Sequence, residues 1–329
     1  LTADPLDGRY AYAVWDRLTG FTNPANPQNT GPTWFARTTD RGNSWEPARN
    51  IYDPGPDAQT IANQIVVLPD ATLVNLMMVI TKNSSKNPVA TIAVLRSKDR
   101  GASWLPPVPV AEAQFAGVFD PKSGRGIRSG SVVPSIAGDR VSGALYIAWE
   151  DARFSGNARD AIALSRSVDG GLTWSALPIQ VNTRAPGTQA FTPSVAVADN
   201  GTLGVSFYDL RNDDPADRSR LTVTHWLATS SDGGGTFSES LVGAPFNLQG
   251  APQVDGPAYF LGDYQGLAHA GAALLPFFAA VPEGGAANIY FRPADATATG
   301  ANPLELAVHG VQQIWRGARE RWRFGTLFK

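Results

Sequence analysis

The chain is built from short runs rich in β-branched and aromatic residues, such as "GALYIAWED" and "TLGVSFYDL", each followed by a second run such as "DAIALSRS" or "LTVTHWLATS". Runs of this kind, separated by Gly, Pro, Asn and Asp, predict antiparallel strands. The longest apolar run, "AGAALLPFFAAV" at 270–281, is too short to span a bilayer and contains a proline, so it predicts a buried strand.

A repeat orders these runs. The octet Ser/Thr-x-Asp-x-Gly-x-Ser/Thr-Trp/Phe occurs four times, as "TTDRGNSW" (38–45), "SKDRGASW" (97–104), "SVDGGLTW" (167–174) and "SSDGGGTF" (230–237). The aspartates Asp40, Asp99, Asp169 and Asp232 lie 59, 70 and 63 positions apart, room for about four short strands per unit. Turn chemistry accounts for the octet: the carboxylate binds N–H groups of its own turn, Gly supplies positive φ and the hydroxyl adds a local bond. The closing aromatic buries area between neighbouring sheets. Each unit then reads as a four-stranded meander with the octet at its last hairpin. Such units arrange radially as a propeller, which leaves only short edges.

The octet is the Asp-box. Together with the strand ends "YAVWDR", "YIAWEDAR" and "SFYDLR", it makes residues 1 to about 292 resemble the bacterial sialidase-like Asp-box (BNR-repeat) proteins. The resemblance implies an all-β, six-bladed propeller. Five blades are recognisable, at 1–50, 60–110, 131–181, 191–243 and, without an octet, 257–292. The sixth is expected either upstream, because "LTADPLDGRYAYAVWDR" begins within a blade, or from residues 293–329. That last segment places Leu304, Val308, Val311, Trp315, Ala318 and Trp322 at helical spacing, and reads either as a helix packed on the propeller or as a poorly ordered tail.

Composition narrows the chemistry. With 27 basic and 29 acidic residues among 329, the formal charge of −2 gives no footprint for nucleic acid. There is no cysteine, and the three histidines His225, His269 and His309 lie far apart, so zinc and Ser-His-Asp chemistry are poorly supplied. Asp213, Asp214 and Asp217 match no calcium-loop spacing. No metal and no cofactor is therefore expected. The opening residues lack a leader pattern, and the family resemblance implies a secreted or cell-surface protein.

In a meander blade the octet lies between the third and fourth strands, on the face opposite the loops that join the second strand to the third. Those loops are long, so function is expected on their face, and the four Asp-box aspartates are assigned to structure. Three second-strand ends carry carboxylates beside arginines: Asp16 and Arg17; Glu150, Asp151 and Arg153; Tyr208, Asp209 and Arg211. Arg128, before a first strand, and Asp263–Tyr264 in "FLGDYQGLA" are expected at the same mouth. For any one Asp/Arg pair a rim salt bridge is the simpler reading. Taken together, Arg17, Arg153 and Arg211 suit an anion clamp.

Sialidases use an arginine triad, a Tyr/Glu pair and an acidic Asp, tyrosine replacing the usual carboxylate nucleophile. The resemblance therefore implies Asp16 or Asp209 as acid, Tyr208 or Tyr264 as nucleophile and Glu150 as its base, with Arg128, Asp151 and Asp263 lining the substrate. The family's Phe/Tyr-Arg-Ile-Pro motif is absent. The expected ligand is a sialylated or other acidic glycan, handled by an exo-sialidase or, alternatively, by a non-catalytic glycan- or protein-binding propeller.

Overall fold

The computed structural model describes residues 1–18, 30–82, 88–182, 187–254 and 256–292. Residues 293–329, for which a closing helix or tail was expected, lie outside that set. Blade I comprises Thr2–Ala3, Ala11–Asp16, Thr33–Thr38 and Arg49–Tyr52; blade II comprises Ala58–Val67, Leu73–Lys82, Pro88–Ser97 and Val108–Ala113. Blade III comprises Ser135–Gly138, Leu145–Asp151, Ala161–Ser167 and Ile179–Gln180, and blade IV Ala190–Val197, Leu203–Asp209, Thr222–Ser230 and Ser238–Leu241. Blade V has three strands among the described residues, Gly266–Ala270, Ala273–Ala280 and Asn288–Phe291. Within each blade the strands pair in chain order, antiparallel.

The first strands of all five blades meet around one central cavity of about 240 Å³, lined by Ala3, Val67, Ala137, Val197 and Leu267 among others. That shared lining makes the arrangement radial. Cores fill the spaces between blades: Tyr12 and Phe35 of blade I pack with Ile65 and Leu73 of blade II, and Tyr208 and Phe246 of blade IV with Phe278 of blade V. Fully burying side chains of this size is worth about 1.5–3 kcal/mol each, so the inter-blade seams are the main source of stability.

All four octets close in the same way. The first hydroxyl donates to the aspartate and accepts the N–H of the octet glycine, and the aspartate accepts both the N–H and the hydroxyl of the seventh residue. In blade III these bonds are Ser167 Oγ to Asp169 (2.8 Å), Gly171 N to Ser167 Oγ (2.8 Å), Thr173 N to Asp169 (2.9 Å) and Thr173 Oγ1 to Asp169 (2.5 Å). Equivalent sets surround Asp40, Asp99 and Asp232. The Ser44 hydroxyl and N–H hold the Asp40 carboxyl down to about 2, and those of Ser103 do the same for Asp99. At Asp169 burial opposes the shift, yet the bonds from Thr173 and Ser167 still lower it to about 2.

The octets also join the blades. The octet glycine is left-handed, and at Gly101 (φ 84°) an added Cβ would lie 2.4 Å from the Phe35 ring of the preceding blade. Only a residue without a side chain permits that approach. An arginine stands immediately before the octet in blades I–III. Arg37 Nη1 donates to the Arg100 carbonyl of blade II (2.7 Å), and Arg96 Nε to the Gly170 carbonyl of blade III (2.7 Å). Arg166 lies against Gly233 of blade IV. In blade IV the position is Thr229, and the next blade has no octet to receive a bond.

The sequence reading differs from the structure at one place that matters for the site. Blade V begins at Gly266 rather than 257, because Ala258–Phe260 leaves the propeller. It pairs in parallel with Gly126–Arg128, and with Val118–Phe119 and Gln253–Val254 these form a small cap sheet from two blade-to-blade connections. Such connections leave the fourth strand on the face opposite the octets, so the cap sheet belongs to the loop-rich mouth.

Candidate active site at the loop-rich mouth of the channel

Strand register sorts the expected site residues. The second strands pair Ala11, Leu73, Leu145 and Leu203 with the first octet residue of their own blades. Counting five residues onward from each brings Asp16, Met78, Glu150 and Tyr208 level; the next position holds Arg17, Val79, Asp151 and Asp209. Neighbouring positions on a strand point to opposite faces. Asp16 is therefore the counterpart of Glu150, not of Asp151 and Asp209, and blade I has no equivalent of the Asp/Arg pair.

The anion clamp is not formed. Arg153 is held by Asp151, through Nε to Oδ1 (2.8 Å) and Nη2 to Oδ2 (2.9 Å), while Trp149 Nε1 donates to the same carboxylate (2.7 Å). Its remaining reach goes to the Glu112 carbonyl of blade II. Arg211 is bonded to Asp209 through Nε and pairs with Glu239 through Nη1, and its guanidinium stacks 4.0 Å from the Trp226 ring. Arg17 lies over Trp34 at 5.4 Å. Arg153 and Arg211 are each engaged within their own blade or with the blade behind it, so neither is available to form the clamp with the exposed Arg17.

Two assigned catalytic groups are also sealed. Tyr208 is 2% exposed, its hydroxyl donates to the Ala279 carbonyl (2.8 Å) and accepts the Ala279 N–H (2.9 Å), and burial pushes its ionisation well above the ordinary phenol range. A nucleophile needs the opposite shift. Asp209 is fully buried under Arg211 and Trp226 and reaches no solvent. Its burial raises it despite Arg211. Asp209 therefore serves as a counter-ion rather than as the acid, and Tyr208 as a bridge to blade V.

Glu150 is buried as well. It accepts from Ser129 Oγ (2.7 Å) and from Thr192 N (2.8 Å), and burial raises it to about 8. No tyrosine hydroxyl bonds to it, so it does not act as base for Tyr208 or Tyr264 in this arrangement.

Asp16, Tyr264, Asp263 and Arg128 occupy the mouth itself. Asp16 is partly buried, and burial raises its carboxyl. Tyr264 is 68% exposed, and its phenol is raised by partial burial, by Asp263 and by the Asp16 charge. That coupling brings Asp16 of blade I into the field of the segment before blade V. Arg128 binds Asp263 in fork geometry, Nε to Oδ1 (2.8 Å) and Nη2 to Oδ2 (2.7 Å), and its side chain stays 44% exposed. Gly130, at φ 69°, allows this approach, since a Cβ there would lie 2.5 Å from the Asp263 carbonyl.

A buried polar network supports Tyr264. Its neighbour Gln265 donates from Nε2 to the carbonyls of Thr192 and Ser206 (3.0 Å to the latter). With the amide nitrogen so used, Oε1 accepts, and His225 Nε2 donates to it at 2.7 Å. His225 stacks on Phe278 at 4.3 Å, and burial lowers it to about 3, so it is neutral. Thr192 sits at φ 51° in a bulge and its N–H is the donor to Glu150. This network was not read from the sequence; the signal available was a histidine inside the strand run "LTVTHWLATS".

No protein-family model matches the chain, and no curated protein matches it. Among solved structures, a protein of unknown function from Dyadobacter fermentans aligns over 89% of this chain and 78% of its own, at 17% identity and TM-score 0.50. A PL25 ulvan lyase, solved bound to -[GlcA(1-4)Rha3S]-, aligns over 87% of this chain and 64% of its own, at 10% identity and TM-score 0.51. The chain thus spans just under two thirds of the lyase. The fold is an all-β propeller. No helix among the described residues is long and apolar enough to cross a membrane, and no group of His, Asp and Glu among them is arranged to hold a metal ion.

Proposed function

We propose that this propeller acts on glycosidic bonds of acidic glycans at its loop-rich mouth, sialosides being the first substrate class to test. The reading is carried by Asp16 and Tyr264 at the same mouth, with the Arg128–Asp263 fork adjoining Tyr264 in the chain. Partial burial raises the Asp16 carboxyl, the direction a general acid requires. Tyr264 offers a phenol for the anomeric centre, and Arg128 is the cation placed to meet a sugar carboxylate. The protein is read as secreted or exposed at a cell surface, where such glycans are met. The ulvan lyase of this fold is bound to -[GlcA(1-4)Rha3S]-, and that ligand class is part of the proposal.

The test is release of the fluorophore from a fluorogenic sialoside at mildly acidic pH by the parent, Asp16→Asn and Tyr264→Phe. Turnover by the parent, reduced at least 100-fold in Asp16→Asn, supports the reading. A second reading is favoured by one feature: the Tyr264 phenol is raised rather than lowered, which suits a stacking platform for a sugar. Sialoside binding without turnover would select that binding module, and neither binding nor turnover would sink both readings.

A further inference from the structure

Outside the channel, the cap sheet and the loop after the second strand of blade IV enclose a second cavity of about 490 Å³. Its construction begins with Lys122. The Lys122 ammonium donates to Asp213 (2.8 Å) and to the carbonyls of Asp217 (2.9 Å) and Arg220 (2.5 Å), so it clips the 120–125 turn to the 213–220 loop. Asp120, 2% exposed, accepts from Lys122 N (2.9 Å) and Ser123 Oγ (2.5 Å) and closes the same turn. Both charges are consumed in holding the walls.

Two guanidiniums line the cavity beside them, that of Arg125 donating through Nε to the Pro257 carbonyl. Arg125 stacks 4.4 Å from the Tyr259 ring centroid, with Nη1 donating to the Tyr259 hydroxyl (3.1 Å). The hydroxyl is used there as an acceptor, which leaves its own proton to donate. Arg218 is exposed at the opposite wall; its backbone carbonyl accepts from Gln249 (3.3 Å) and its guanidinium enters no ion pair among the described residues. Arg125, Arg218, Tyr259 and Gln249 form a donor-rich lining with one aromatic side. Fork donors beside a ring suit a sugar that bears a carboxylate or sulfate.

The strand Gly126–Arg128 joins this cavity to the mouth, since Arg125 precedes it and Arg128 ends it. Three extended residues span roughly 10 Å. We infer that the Arg125–Arg218 cavity is a second anion subsite, which holds an acidic sugar of an oligosaccharide whose end lies at Arg128. The inference rests on the proposed function only in taking a glycan as ligand, and it predicts a preference for acidic chains over single sugars.

Calorimetric titration of the full chain with tri-galacturonic acid, a sulfated maltotriose and neutral maltotriose tests it, with Arg218→Ala and Arg218→Lys beside the parent. The expected result is at least tenfold tighter binding of an acidic trimer than of maltotriose, weakened at least tenfold in Arg218→Ala and partly restored in Arg218→Lys. The trimer that binds identifies the anion as carboxylate or sulfate. Unchanged thermal melting confirms that the exposed Arg218 was not supporting the fold. Equal affinity for neutral and acidic trimers, a change of less than twofold in Arg218→Ala, or no binding of either acidic trimer overturns the subsite. Arg218-dependent binding with no sialoside turnover would keep the subsite and discard the channel reaction.

Discussion

The two faces of the propeller use the same strand ends in opposite ways. On the octet face, four turns repeat one set of bonds around Asp40, Asp99, Asp169 and Asp232, and arginines of blades I and II tie the next blade's turn by its carbonyls. On the loop-rich face, register-equivalent positions hold Asp16, Met78, Glu150 and Tyr208, each with different partners. Repetition marks groups whose bonds are closed within the fold, whereas the non-repeating positions divide: Glu150 and Tyr208 are sealed and Asp16 stays partly open. Within the second face the same contrast recurs: Asp151–Arg153 and Asp209–Arg211 are closed pairs, whereas Asp16 and Tyr264 are open.

The sharpest way to break this comparison is Arg211→Ala. If the pair is closed and structural, removing its cation takes the arginine counter-charge from the buried Asp209 and Glu239 carboxylates, an expected loss of about 3–5 kcal/mol in chemical denaturation. A loss of activity with full stability would instead restore Arg211 to the site. Next in size is Asp16→Asn, expected to lower sialoside turnover at least 100-fold, equivalent to about 2.7 kcal/mol of barrier, with melting unchanged. A matching fall in stability would place Asp16 among the closed groups.

On the octet face, Gly101→Ala puts a Cβ against Phe35 at positive φ, and is expected to cost about 2 kcal/mol of stability while leaving the activity of folded protein intact. A further readout is the pH dependence carried by Glu150. Its folded value, about 8, lies above the ordinary 4.5, so the folded state holds the extra proton between those values. Stability from this group is therefore full at low pH and is lost as pH rises from about 4.5 through 8. Glu150→Gln should flatten that decline in denaturation curves measured from pH 5 to 9, and an unaltered slope would show that Glu150 is not the titrating group.

The octets were legible because each is local: eight consecutive residues contain the donor, the acceptor and the left-handed glycine that the turn needs. The blade limits followed from their spacing, except where Tyr259 and Phe260 paired with Ile127 and Arg128 far away in the chain. The site was less legible. The strings "WDR", "WEDAR" and "YDLR" look alike, yet a one-residue shift in register exchanges the faces of a strand. That shift separates Asp16 from Asp151 and Asp209, and dissolves the clamp of Arg17, Arg153 and Arg211.

By itself the sequence determined the repeating strand meander, the face on which its turns close and the structural standing of the four octet aspartates, because those depend on neighbours within a few residues. Tertiary structure decided which charges remain available. Asp151 and Asp209 take arginines two positions along the chain, but whether a carboxylate is sealed against a bulge like Glu150 at Thr192, or left partly open at the mouth like Asp16, depends on partners tens to hundreds of positions away, and on the water excluded when the blades pack.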